Sequence, residues 1–315
     1  MIVRLARRLR EQGVLGINRR NAEYTLRHNP RHLYPLVDDK LRTKRLAEAA
    51  GIAVPELYGV VEIERQVASL PALVQEHADF VIKPARGSGG NGILVIAGRH
   101  KSLYRKASGA LMDKREMAHH VSNILSGMYS LGGQPDKAFI EYRVQFNPVF
   151  ERITYLGVPD IRIIVFLGVP VMSMVRLPTS ASDGRANLHQ GAIGAGIDIA
   201  TGLTLTAVRY NDIVYEHPDT GNEVTGIQVP YWDQLLELAA RGHELTGLGY
   251  VGVDFVLDRE KGPLMLELNA RPGLNIQIAN LAGLLHRLHK VEAFRGELAT
   301  LGQRVAFARR HFGTA

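Results

Sequence analysis

The sequence predicts a mixed α/β (α+β) protein with two lobes, and three observations support this prediction. Pairs of apolar, β-branched segments joined by short turns, at 160–176 and 250–269, are typical of antiparallel strands. Segments with helix-capping and amphipathic patterns, such as 38–51 and 232–248, predict helices around those strands. The length of 315 residues is more than one hydrophobic core usually serves, so we expect two lobes.

Composition and cysteine content narrow the class of protein. The chain is 46% hydrophobic and 22% charged, which is ordinary for a soluble globular protein. No apolar run is long enough to cross a membrane, and no apolar segment follows the basic N-terminus as a secretory signal requires. The absence of cysteine excludes disulfides, thiolate catalysis and Cys-ligated zinc, and it fits a cytoplasmic protein.

The net charge of +7 is concentrated at one end of the chain. Residues 1–45 contain 12 Lys and Arg against 4 Asp and Glu, whereas the remainder has a balance of −1. We therefore expect a basic N-terminal arm, residues 1–36, attached to a near-neutral body. Such an arm could contact an acidic polypeptide, a partner protein, an anionic membrane surface or nucleic acid.

The first 51 residues are predicted to contain two helices separated by loops. Residues 1–12 have apolar side chains on one side and arginines around the rest, which predicts a helix. Residues 18–21 and 27–31 are rich in Asn and Arg and predict loops, whose donors could hold phosphate or carboxylate groups. Residues 38–50 predict a second helix, which Gly51 ends.

A glycine-rich loop follows a predicted strand that ends near Lys83. Its glycines match the pattern G-x-G-x-x-G, but a dinucleotide-binding fingerprint needs a helix directly afterwards, and residues 93–96 are strand-like. Glycines between two strands instead predict a flap whose backbone N–H groups bind phosphate, with Lys83 as an added cation. The alternative, a plain glycine-rich hairpin, leaves the number of glycines and Lys83 unexplained.

The middle of the chain predicts a helix at 115–129 and a connecting strand at 138–144. The adjacent His119 and His120 of that helix face different directions, so they do not predict a metal site. The hairpin at 160–176 carries two arginines, Arg162 and Arg176.

Arg162 lies inside the first strand of the 160–176 hairpin, on the same face as Asp160, and Arg176 lies at the end of the second strand. An isolated arginine on a strand is usually a surface residue. Two arginines close to a phosphate site are better interpreted as anion ligands. A polar, glycine-rich segment at 182–196 follows, and residues 215–225 predict a further hairpin.

Three polar side chains interrupt the otherwise buried-looking hairpin at 250–269. Glu267 and Asn269 point to the same face of their strand, and Asp254 on the adjoining strand can reach them. An unpaired carboxylate is costly in a buried strand, so a solvated strand face is the weaker interpretation. Hard oxygen ligands of this kind suit Mg²⁺ that also contacts substrate phosphates. Predicted helices at 232–248 and 274–290 flank the hairpin.

Taken together and in this order, these segments resemble the ATP-grasp superfamily over about residues 36–280. Within it, the chain is most similar to the α-L-glutamate ligase-like group related to the ligases that modify ribosomal protein tails. It resembles, more distantly, ATP-grasp proteins associated with sugar transfer. The residues that carry the resemblance are Asp39-Lys40, Lys83-Pro84, Glu141-Tyr142, Asp160-Ile161-Arg162, Arg185-Ala186-Asn187-Leu188-His189, Asp254 and Glu267-Leu268-Asn269-Ala270-Arg271-Pro272-Gly273.

The resemblance implies a fold of two lobes, 37–140 and 141–315, with the nucleotide between them. It implies ATP and Mg²⁺ as cofactors, with Mn²⁺ as a possible substitute, and roles for the following residues. Lys40 and Lys83 would contact the ATP phosphates under a flap of Arg86, Gly87, Ser88, Gly89, Gly90, Asn91 and Gly92, and the backbone of Glu141, Tyr142 and Arg143 would receive adenine. Asp254, Glu267 and Asn269 would hold the metal, and Arg162, Arg176 and Asn187 would face the γ-phosphate and the acyl phosphate made from it.

The activity that the resemblance implies is that of an ATP-dependent carboxylate–amine ligase. Its partners would be a carboxylate-bearing acceptor (a peptide, protein tail or small molecule) and an amino acid such as glutamate. The alternatives are a small-molecule kinase on the same scaffold, a sugar-transfer-associated ATP-grasp protein and a non-catalytic nucleotide- or nucleic-acid-binding protein. The metal ligands and lysines together argue against the last of these, because a binding module needs no such set.

The chain departs from the tail-modifying ligases in three places. The 39 residues before Lys40 are too few for the α/β lobe that usually begins such ligases, so we expect the basic arm to recruit the acceptor. The segment between Glu141 and Asp160 is longer, which leaves Glu151 as a weak candidate for binding ribose. Arg271 replaces a small residue beside the metal ligands and could change the choice of substrate.

Overall fold

The computed structural model of the chain describes residues 2–87 and 89–314. Its strands are β1 (Leu57–Val61), β2 (Phe80–Pro84), β3 (Leu94–His100), β4 (Leu103–Lys106), β5 (Leu111–Met112), β6 (Ala138–Glu141), β7 (Asp160–Phe166), β8 (Val169–Leu177), β9 (Ile193–Ile197), β10 (Thr204–Arg209), β11 (Asp212–Val214), β12 (Tyr250–Asp258) and β13 (Gly262–Asn269).

The α-helices are α1 (Ile2–Glu11), α2 (Ile17–Arg19), α3 (Leu26–His28), α4 (Pro35–Asp38), α5 (Lys40–Ala49), α6 (Leu70–Leu73), α7 (Lys114–Leu125), α8 (Trp232–Thr246), α9 (Ile276–Ala279), α10 (Leu285–Phe294) and α11 (Leu301–Phe312). A π-helix, Arg20–Thr25, joins α2 to α3, and short 3₁₀ turns occupy Arg31–Leu33, Glu64–Ser69, Leu131–Gly133, Pro148–Ile153, Leu188–Gln190 and Arg295–Glu297. Across the described ranges, the structure contains no helix that is long and apolar enough to cross a membrane.

The chain divides into two compact units. Unit 1 comprises residues 1–38, 43–53 and 146–315, and unit 2 comprises residues 39–42 and 54–145. The predicted N-terminal arm, residues 1–36, is therefore part of unit 1. Helix α5 contributes its first three residues to unit 2 and the others to unit 1.

Unit 2 is built on a six-stranded antiparallel sheet with the order β1-β6-β2-β3-β4-β5. Phe80 and Ile82 of β2 are fully buried, and Met117 and Val121 of helix α7 belong to the same core cluster. Helix α7 begins with a capping box at Asp113, whose carboxylate accepts a hydrogen bond from the N–H of Glu116. The predicted strands and helix of this region are confirmed.

Unit 1 is built on a seven-stranded antiparallel sheet with the order β11-β10-β9-β8-β7-β12-β13. Every residue of β12 is buried, which fits its run of apolar side chains. Two positions with positive φ, Leu167 and Gly168, close the β7–β8 hairpin as a tight turn. The predicted hairpins at 160–176 and 250–269 are both confirmed, and the mixed α/β fold class is confirmed with them.

Two local predictions are wrong, and in each case tertiary packing explains the difference. The loop predicted at 18–21 and the first two residues of the loop predicted at 27–31 belong to one helical segment, 17–28, because Tyr24 is buried against the sheet residues Phe166 and Tyr250. The predicted helix at 274–290 is interrupted between α9 and α10. There Gly283 passes so close to Gly13 that a Cβ at Gly283 would lie 2.2 Å from the Gly13 carbonyl carbon.

The polar, glycine-rich segment at 182–196 contains a strand that the sequence did not predict. Its last part is the buried strand β9, and each residue of β9 is inaccessible to solvent. At Gly196 a Cβ would lie 2.8 Å from the carbonyl oxygen of Ala279, so glycine is required there, whereas at Gly194 it would lie 2.7 Å from the end of the Leu188 side chain. The strand is paired with β8 on one side and β10 on the other, and its glycines allow the close approach of Leu188 and Ala279.

Candidate functional site

A cluster of charged side chains lies on one face of the sheet in unit 1. The guanidinium of Arg162 donates two parallel hydrogen bonds to Asp254, from Nε to Oδ1 at 2.7 Å and from Nη2 to Oδ2 at 2.6 Å. This bidentate geometry is the strongest form of an arginine–carboxylate contact. Because Asp254 is only 1% exposed, a charged partner is necessary to compensate for the loss of hydration.

Arg176 joins the same cluster and links two carboxylates. Its Nε and Nη2 each donate to Asp160 at 2.5 Å, and Nη2 also donates to Asp254 Oδ2 at 2.9 Å. Asp254 therefore accepts hydrogen bonds from two arginines. The two guanidinium groups and the two aspartates alternate in sign across strands β8, β7 and β12.

Glu267 and Asn269 complete the cluster from strand β13. The amide nitrogen of Asn269 donates to Glu267 Oε1 at 3.2 Å and approaches Asp254 Oδ2 at 3.4 Å. Both side chains are partly exposed, unlike Asp254. The three predicted metal ligands are thus brought together on one surface of unit 1.

Strand register explains why these residues meet although they are far apart in the chain. Asp254 lies opposite Arg162 on one side and opposite Glu267 on the other, and Asp160 lies opposite Arg176. Directly opposite residues on neighbouring strands have Cβ atoms about 5 Å apart and share a face. Alternation along each strand then places all of these side chains on the same face.

Burial and charge have opposing effects on the ionisation of Asp160 and Arg176. Burial raises the pKa of Asp160 to about 6, although Arg176 acts in the opposite direction. Burial by itself lowers the pKa of Arg176, but Asp160 and Asp254 more than offset this, so its pKa is raised and it stays protonated. The Arg176 guanidinium is therefore a cation that favours the ionised form of Asp160, against the effect of burial.

The donor set at this cluster fits Mg²⁺ that is also coordinated by a substrate. Asp254 and Glu267 supply carboxylate oxygens, which are hard ligands of the type that Mg²⁺ requires. Asn269 presents its amide nitrogen to both carboxylates in the structure, and a rotation of the amide group would present its oxygen instead. Throughout the described part of the chain, no group of three or more His, Asp or Glu side chains is arranged to hold a metal ion by itself. The arrangement consequently suits a metal bound with phosphates better than a metal enclosed by protein ligands alone.

The third residue predicted to act on phosphate, Asn187, does not join the cluster. It precedes the 3₁₀ turn Leu188–Gln190, and its Oδ1 accepts a hydrogen bond from the N–H of His189 at 3.0 Å. Arg162 and Arg176 contact carboxylates in the structure, so their predicted contact with phosphate remains a prediction. Asp160, the partner of Arg176, was not among the predicted site residues, although its alternation with Arg162 was a usable signal.

Unit 2 contains the residues predicted to bind nucleotide. Lys83 on β2 forms an ion pair with Glu141 on β6, with 2.5 Å between Nζ and Oε1. The Glu141 side chain is 4% exposed and the Lys83 side chain 18%, so this pair is largely desolvated. The negative charge of Glu141 balances the positive charge of Lys83. The pairing also holds the ammonium group at the surface of the sheet, a few residues before the glycine-rich loop.

The glycine-rich loop has a backbone that other residues could not adopt without strain. Gly89, Gly90 and Gly92 have φ values of 63°, 79° and 76°. Lys40 supports the start of this loop, because its Nζ donates to the carbonyl oxygen of Gly87 at 2.6 Å. Of the other predicted flap residues, Arg86 and Asn91 are exposed, and Ser88 lies outside the described residues.

The segment predicted to receive adenine has its groups engaged with neighbouring residues. The N–H of Tyr142 donates to the carbonyl oxygen of Glu56 at 2.8 Å, and the Arg143 guanidinium donates to Asp79 at 3.0 Å. Glu151, the weak candidate for ribose, is half exposed and paired with Arg259 in unit 1. These contacts leave the adenine and ribose assignments as predictions.

Comparison with known proteins defines the class to which this fold and charge cluster belong. A family described as sugar-transfer associated ATP-grasp matches residues 19–293, which is most of the chain. The protein is therefore an ATP-grasp protein, as the sequence predicts. More narrowly, the chain belongs to the sugar-transfer associated ATP-grasp family, whereas its placement in the glutamate ligase-like group remains a prediction.

Solved structures of ATP-grasp enzymes resemble the chain at low identity. The ATP-grasp ligase PsnB, complexed with a minimal precursor, is 15% identical with a TM-score of 0.44 over 89% of this chain and 62% of PsnB. PsnB has also been solved with Mg and ADP. D-cycloserine synthetase DcsG is 14% identical with a TM-score of 0.47 over 85% of this chain and 72% of DcsG.

VanG D-Ala:D-Ser ligase from Enterococcus faecalis is 13% identical with a TM-score of 0.47, over 83% of this chain and 62% of the VanG chain. The chain thus spans about six tenths of the length of PsnB and of VanG. A search of curated proteins found no match.

Proposed function

We propose that the protein is an ATP- and Mg²⁺-dependent ligase that joins a carboxylate to an amine. The observation that carries this proposal is the alternating cluster of Arg162, Arg176, Asp160 and Asp254, with Glu267 and Asn269 beside it. A buried set of two cations and several carboxylates is matched to a ligand that brings both a divalent cation and anionic phosphates. Membership of an ATP-grasp family supports ATP as that ligand.

Charge balance explains how the cluster would accept such a ligand. Asp254, Glu267 and Asn269 would hold Mg²⁺, which neutralises phosphate charge and orients the phosphates of ATP. Arg162 and Arg176 lie within hydrogen-bond distance of Asp254 and could exchange this carboxylate for phosphate oxygens, which suit the planar guanidinium equally well. The exchange keeps every buried charge paired, so it avoids the cost of an uncompensated ion.

In unit 2, Lys83 and Lys40 would stabilise phosphate charge in the same manner. Lys83 contacts Glu141 and could exchange that carboxylate for a phosphate oxygen. Lys40 bonds the backbone at Gly87, where the glycine-rich loop begins, and the N–H groups of this loop are suited to bind phosphate oxygens. Both lysines would act as point charges that orient the nucleotide.

The proposed reaction has two steps. A carboxylate oxygen of one substrate attacks the γ-phosphorus of ATP, so that the bond to the β,γ-bridging oxygen breaks and ADP leaves with an acyl phosphate formed. The amine of the second substrate then attacks the acyl carbon, loses a proton and displaces inorganic phosphate, which leaves an amide. Arg162 and Arg176 would stabilise the charge of the transferred phosphoryl group, because the protein contributes mainly positioning and electrostatic stabilisation to this chemistry.

The identity of the acceptor is the finer part of the proposal. We favour a peptide or other acidic carboxylate as the acceptor and an amino acid as the amine. The family match favours a second candidate, in which the carboxylate or the amine is carried by a sugar. The chemistry at phosphorus and carbon is the same in both candidates.

The deciding experiment measures ADP and phosphate release with Mg²⁺ and ATP over panels of amino acids, acidic peptides, sugar acids and amino sugars, with mass spectrometry of the products. A ligase releases phosphate only when a carboxylate and an amine are both present, and the product gains the mass of the amine less one water. A phosphorylated product that accumulates without any amine would show a kinase instead. Failure of every carboxylate–amine pair to stimulate ADP release would contradict the ligase.

A further inference from the structure

The hairpin that carries Asp254, Glu267 and Asn269 is only partly fixed by its own strands. Its turn sets the register of β12 and β13 as far as the pair Phe255–Met265, and the register then shifts before the pair Asp254–Glu267. Such a bulge disrupts the ladder locally and changes the direction of side chains. In addition, β13 is the edge strand, so it is paired within the sheet on one side only.

Asn29 fastens the open end of this hairpin. Its Nδ2 donates to the carbonyl oxygens of Tyr250 at 2.7 Å and Ala270 at 2.9 Å, and its Oδ1 accepts from the N–H of Tyr250 at 2.9 Å. The side chain is 1% exposed. One buried amide therefore ties the first residue of β12 to the residue that directly follows β13.

Arg20 holds the loop that leaves β13. Its Nη1 donates to the carbonyl oxygens of Pro272 at 2.8 Å and Arg271 at 3.3 Å, while Nε and Nη2 donate to Asn21 Oδ1 at 3.0 and 2.7 Å. The residue is only 7% exposed, and its hydrogen bonds go to carbonyl and amide oxygens. A guanidinium buried in this way loses hydration and gains no ion pair in return. A contact that only stabilised the fold would not need a charged group at this position.

We propose that Asn29 and Arg20 are positioning residues that set the distance between Asp254 on β12 and the pair Glu267 and Asn269 on β13. This inference rests on the proposed metal-binding role of those three residues. Asn269 directly precedes Ala270 in the chain, so a movement of Ala270 displaces Asn269 directly. The same movement also displaces Glu267, which lies two residues before Asn269. Mg²⁺ requires near-ideal octahedral geometry at about 2.0–2.1 Å, so small displacements weaken its binding.

The inference gives a role to polar residues that local sequence patterns predict to lie in loops. Neither side chain is expected to touch substrate or metal. Their effect on the site acts through the backbone of β12, β13 and the loop at 270–272. Any recruitment of an acceptor by the basic arm does not include Arg20, because its guanidinium is buried and bonds backbone carbonyls.

The test compares Asn29→Ala and Arg20→Met with the control Gln277→Ala. Gln277 is also a buried amide, 7% exposed, and it also bonds the N-terminal segment through the N–H and carbonyl of Leu15. Its hydrogen bonds do not reach β12 or β13. Three quantities are measured: Mn²⁺ affinity in the presence of saturating ADP by electron paramagnetic resonance, hydrogen exchange of the amides at 262–269, and the melting temperature.

We expect Asn29→Ala and Arg20→Met to weaken Mn²⁺ binding at least tenfold and to speed exchange at 262–269. Gln277→Ala should lower the melting temperature without either effect. Arg20→Lys, which keeps a donor for the Pro272 carbonyl, should recover at least half of the lost affinity on a logarithmic scale. If Asn29→Ala does not fold, the comparison of Arg20→Met with Arg20→Lys decides whether contacts to the loop after β13 position the metal ligands.

Mn²⁺ affinity within twofold of the wild type in folded Arg20→Met, or an equal loss in Gln277→Ala, would overturn the inference. Failure of the wild-type chain to bind Mn²⁺ with ADP would instead refute the proposed metal site. Hydrogen exchange then decides the positioning role independently of the metal. Faster exchange at 262–269 in the Arg20 and Asn29 variants alone supports that role, and unchanged exchange rejects it.

Discussion

The candidate residues of unit 1 and those of unit 2 are held in place by different means. In unit 1 the charged side chains come from four strands, and the register of those strands brings Asp160, Arg162, Arg176 and Asp254 together. In unit 2 the glycine-rich loop owes its conformation to glycines with positive φ within a few residues of one another. The first arrangement depends on long-range packing and the second on local backbone geometry.

This difference predicts how the two units respond to substitution. Removal of a charge from the buried part of the unit 1 cluster, such as Asp254, leaves a buried opposite charge without its partner, so activity and stability should fall together. A substitution in the unit 2 loop changes local strain, so nucleotide binding should change more than the stability of the sheet. The following substitutions test this contrast, in order of decreasing expected effect.

Asp254→Ala should have the largest effect. We expect ATP turnover to be lost and the free energy of unfolding to fall by about 3–5 kcal/mol, because Arg162 and Arg176 both lose a buried carboxylate partner. Denaturant unfolding and an ADP-release assay measure the two effects. The control is Asp219→Ala, since Asp219 bonds the backbone N–H and hydroxyl of Ser180 and no guanidinium. Equal stability losses in the two variants would contradict the role of the buried ion pairs.

Glu267→Gln should separate activity from stability. The amide keeps the size of the side chain and an oxygen for Asn269, so the free energy of unfolding should change by no more than about 1 kcal/mol. Turnover should fall at least a hundredfold, about 2.7 kcal/mol in activation free energy, because the amide removes one of the two negative charges that would hold Mg²⁺ beside Asn269. Glu260→Gln, in the exposed turn between the same strands, is the control. Near-normal Mg²⁺-dependent turnover in Glu267→Gln would count against the metal assignment.

Lys83→Ala should weaken ATP binding or slow turnover at least tenfold, which corresponds to about 1.4 kcal/mol. The physical reason is the loss of a cation from a largely desolvated position on β2. Lys137→Ala is the control, because Lys137 forms an exposed ion pair with Glu62 in the same unit, and such a pair contributes at most about 1 kcal/mol. Calorimetric titration that finds the same ATP affinity and turnover in both variants would reject a nucleotide role for Lys83.

Gly92→Ala and Gly109→Ala form a matched pair in unit 2. Both glycines have positive φ, 76° and 86°, so each substitution should cost about 1–2 kcal/mol of stability. A Cβ at Gly92 would also lie 2.6 Å from the Tyr129 ring, whereas a Cβ at Gly109 meets no atom within 4 Å. We expect Gly92→Ala alone to weaken ATP binding severalfold. Equal ATP affinity in the two variants would mean that the loop conformation does not influence the nucleotide.

The smallest expected effect concerns the exposed arginines of the N-terminal segment. Arg27 and Arg31 remain exposed in the structure, whereas Arg19 pairs with Glu23 and Arg20 is buried. Replacing Arg27 and Arg31 by glutamine should raise the acceptor KM by about twofold to threefold at low salt and flatten its salt dependence. The physical reason is that attraction between exposed charges is screened over about 8 Å at physiological salt.

The control for that variant replaces two exposed arginines of unit 2, Arg65 and Arg115, by glutamine. The KM for ATP should be the same in both double variants. An acceptor KM that responds to salt equally in the wild type and in both variants would exclude recruitment by Arg27 and Arg31. Co-sedimentation with anionic vesicles that is lost only in the Arg27/Arg31 variant would indicate that the segment contacts a membrane surface.

Local sequence patterns were sufficient to predict much of the fold and several residues of the candidate site. The alternation of side chains along 250–269 placed Asp254, Glu267 and Asn269 on one face, and the structure brings these three together. Lys83 before a run of glycines predicted a strand followed by a loop, because the backbone freedom of glycine is a local property. Helix α7 could be predicted for the same reason, since its capping box and its apolar periodicity lie within a few turns.

Only the tertiary structure decided which charges pair with which. Arg162 and Arg176 carry the same type of pattern as surface arginines, and nothing local showed that Asp254 and Asp160 are their partners. Residues 18–21 and 27–31 have the composition of loops, yet 17–28 form a helical segment in which Tyr24 is buried. Arg20 and Asn29 bond the segment after β13, and Asn29 also bonds β12. A sequence pattern fixes the face on which a side chain lies. The partner on that face is set by strand register and by contacts between distant segments, which only folding brings together.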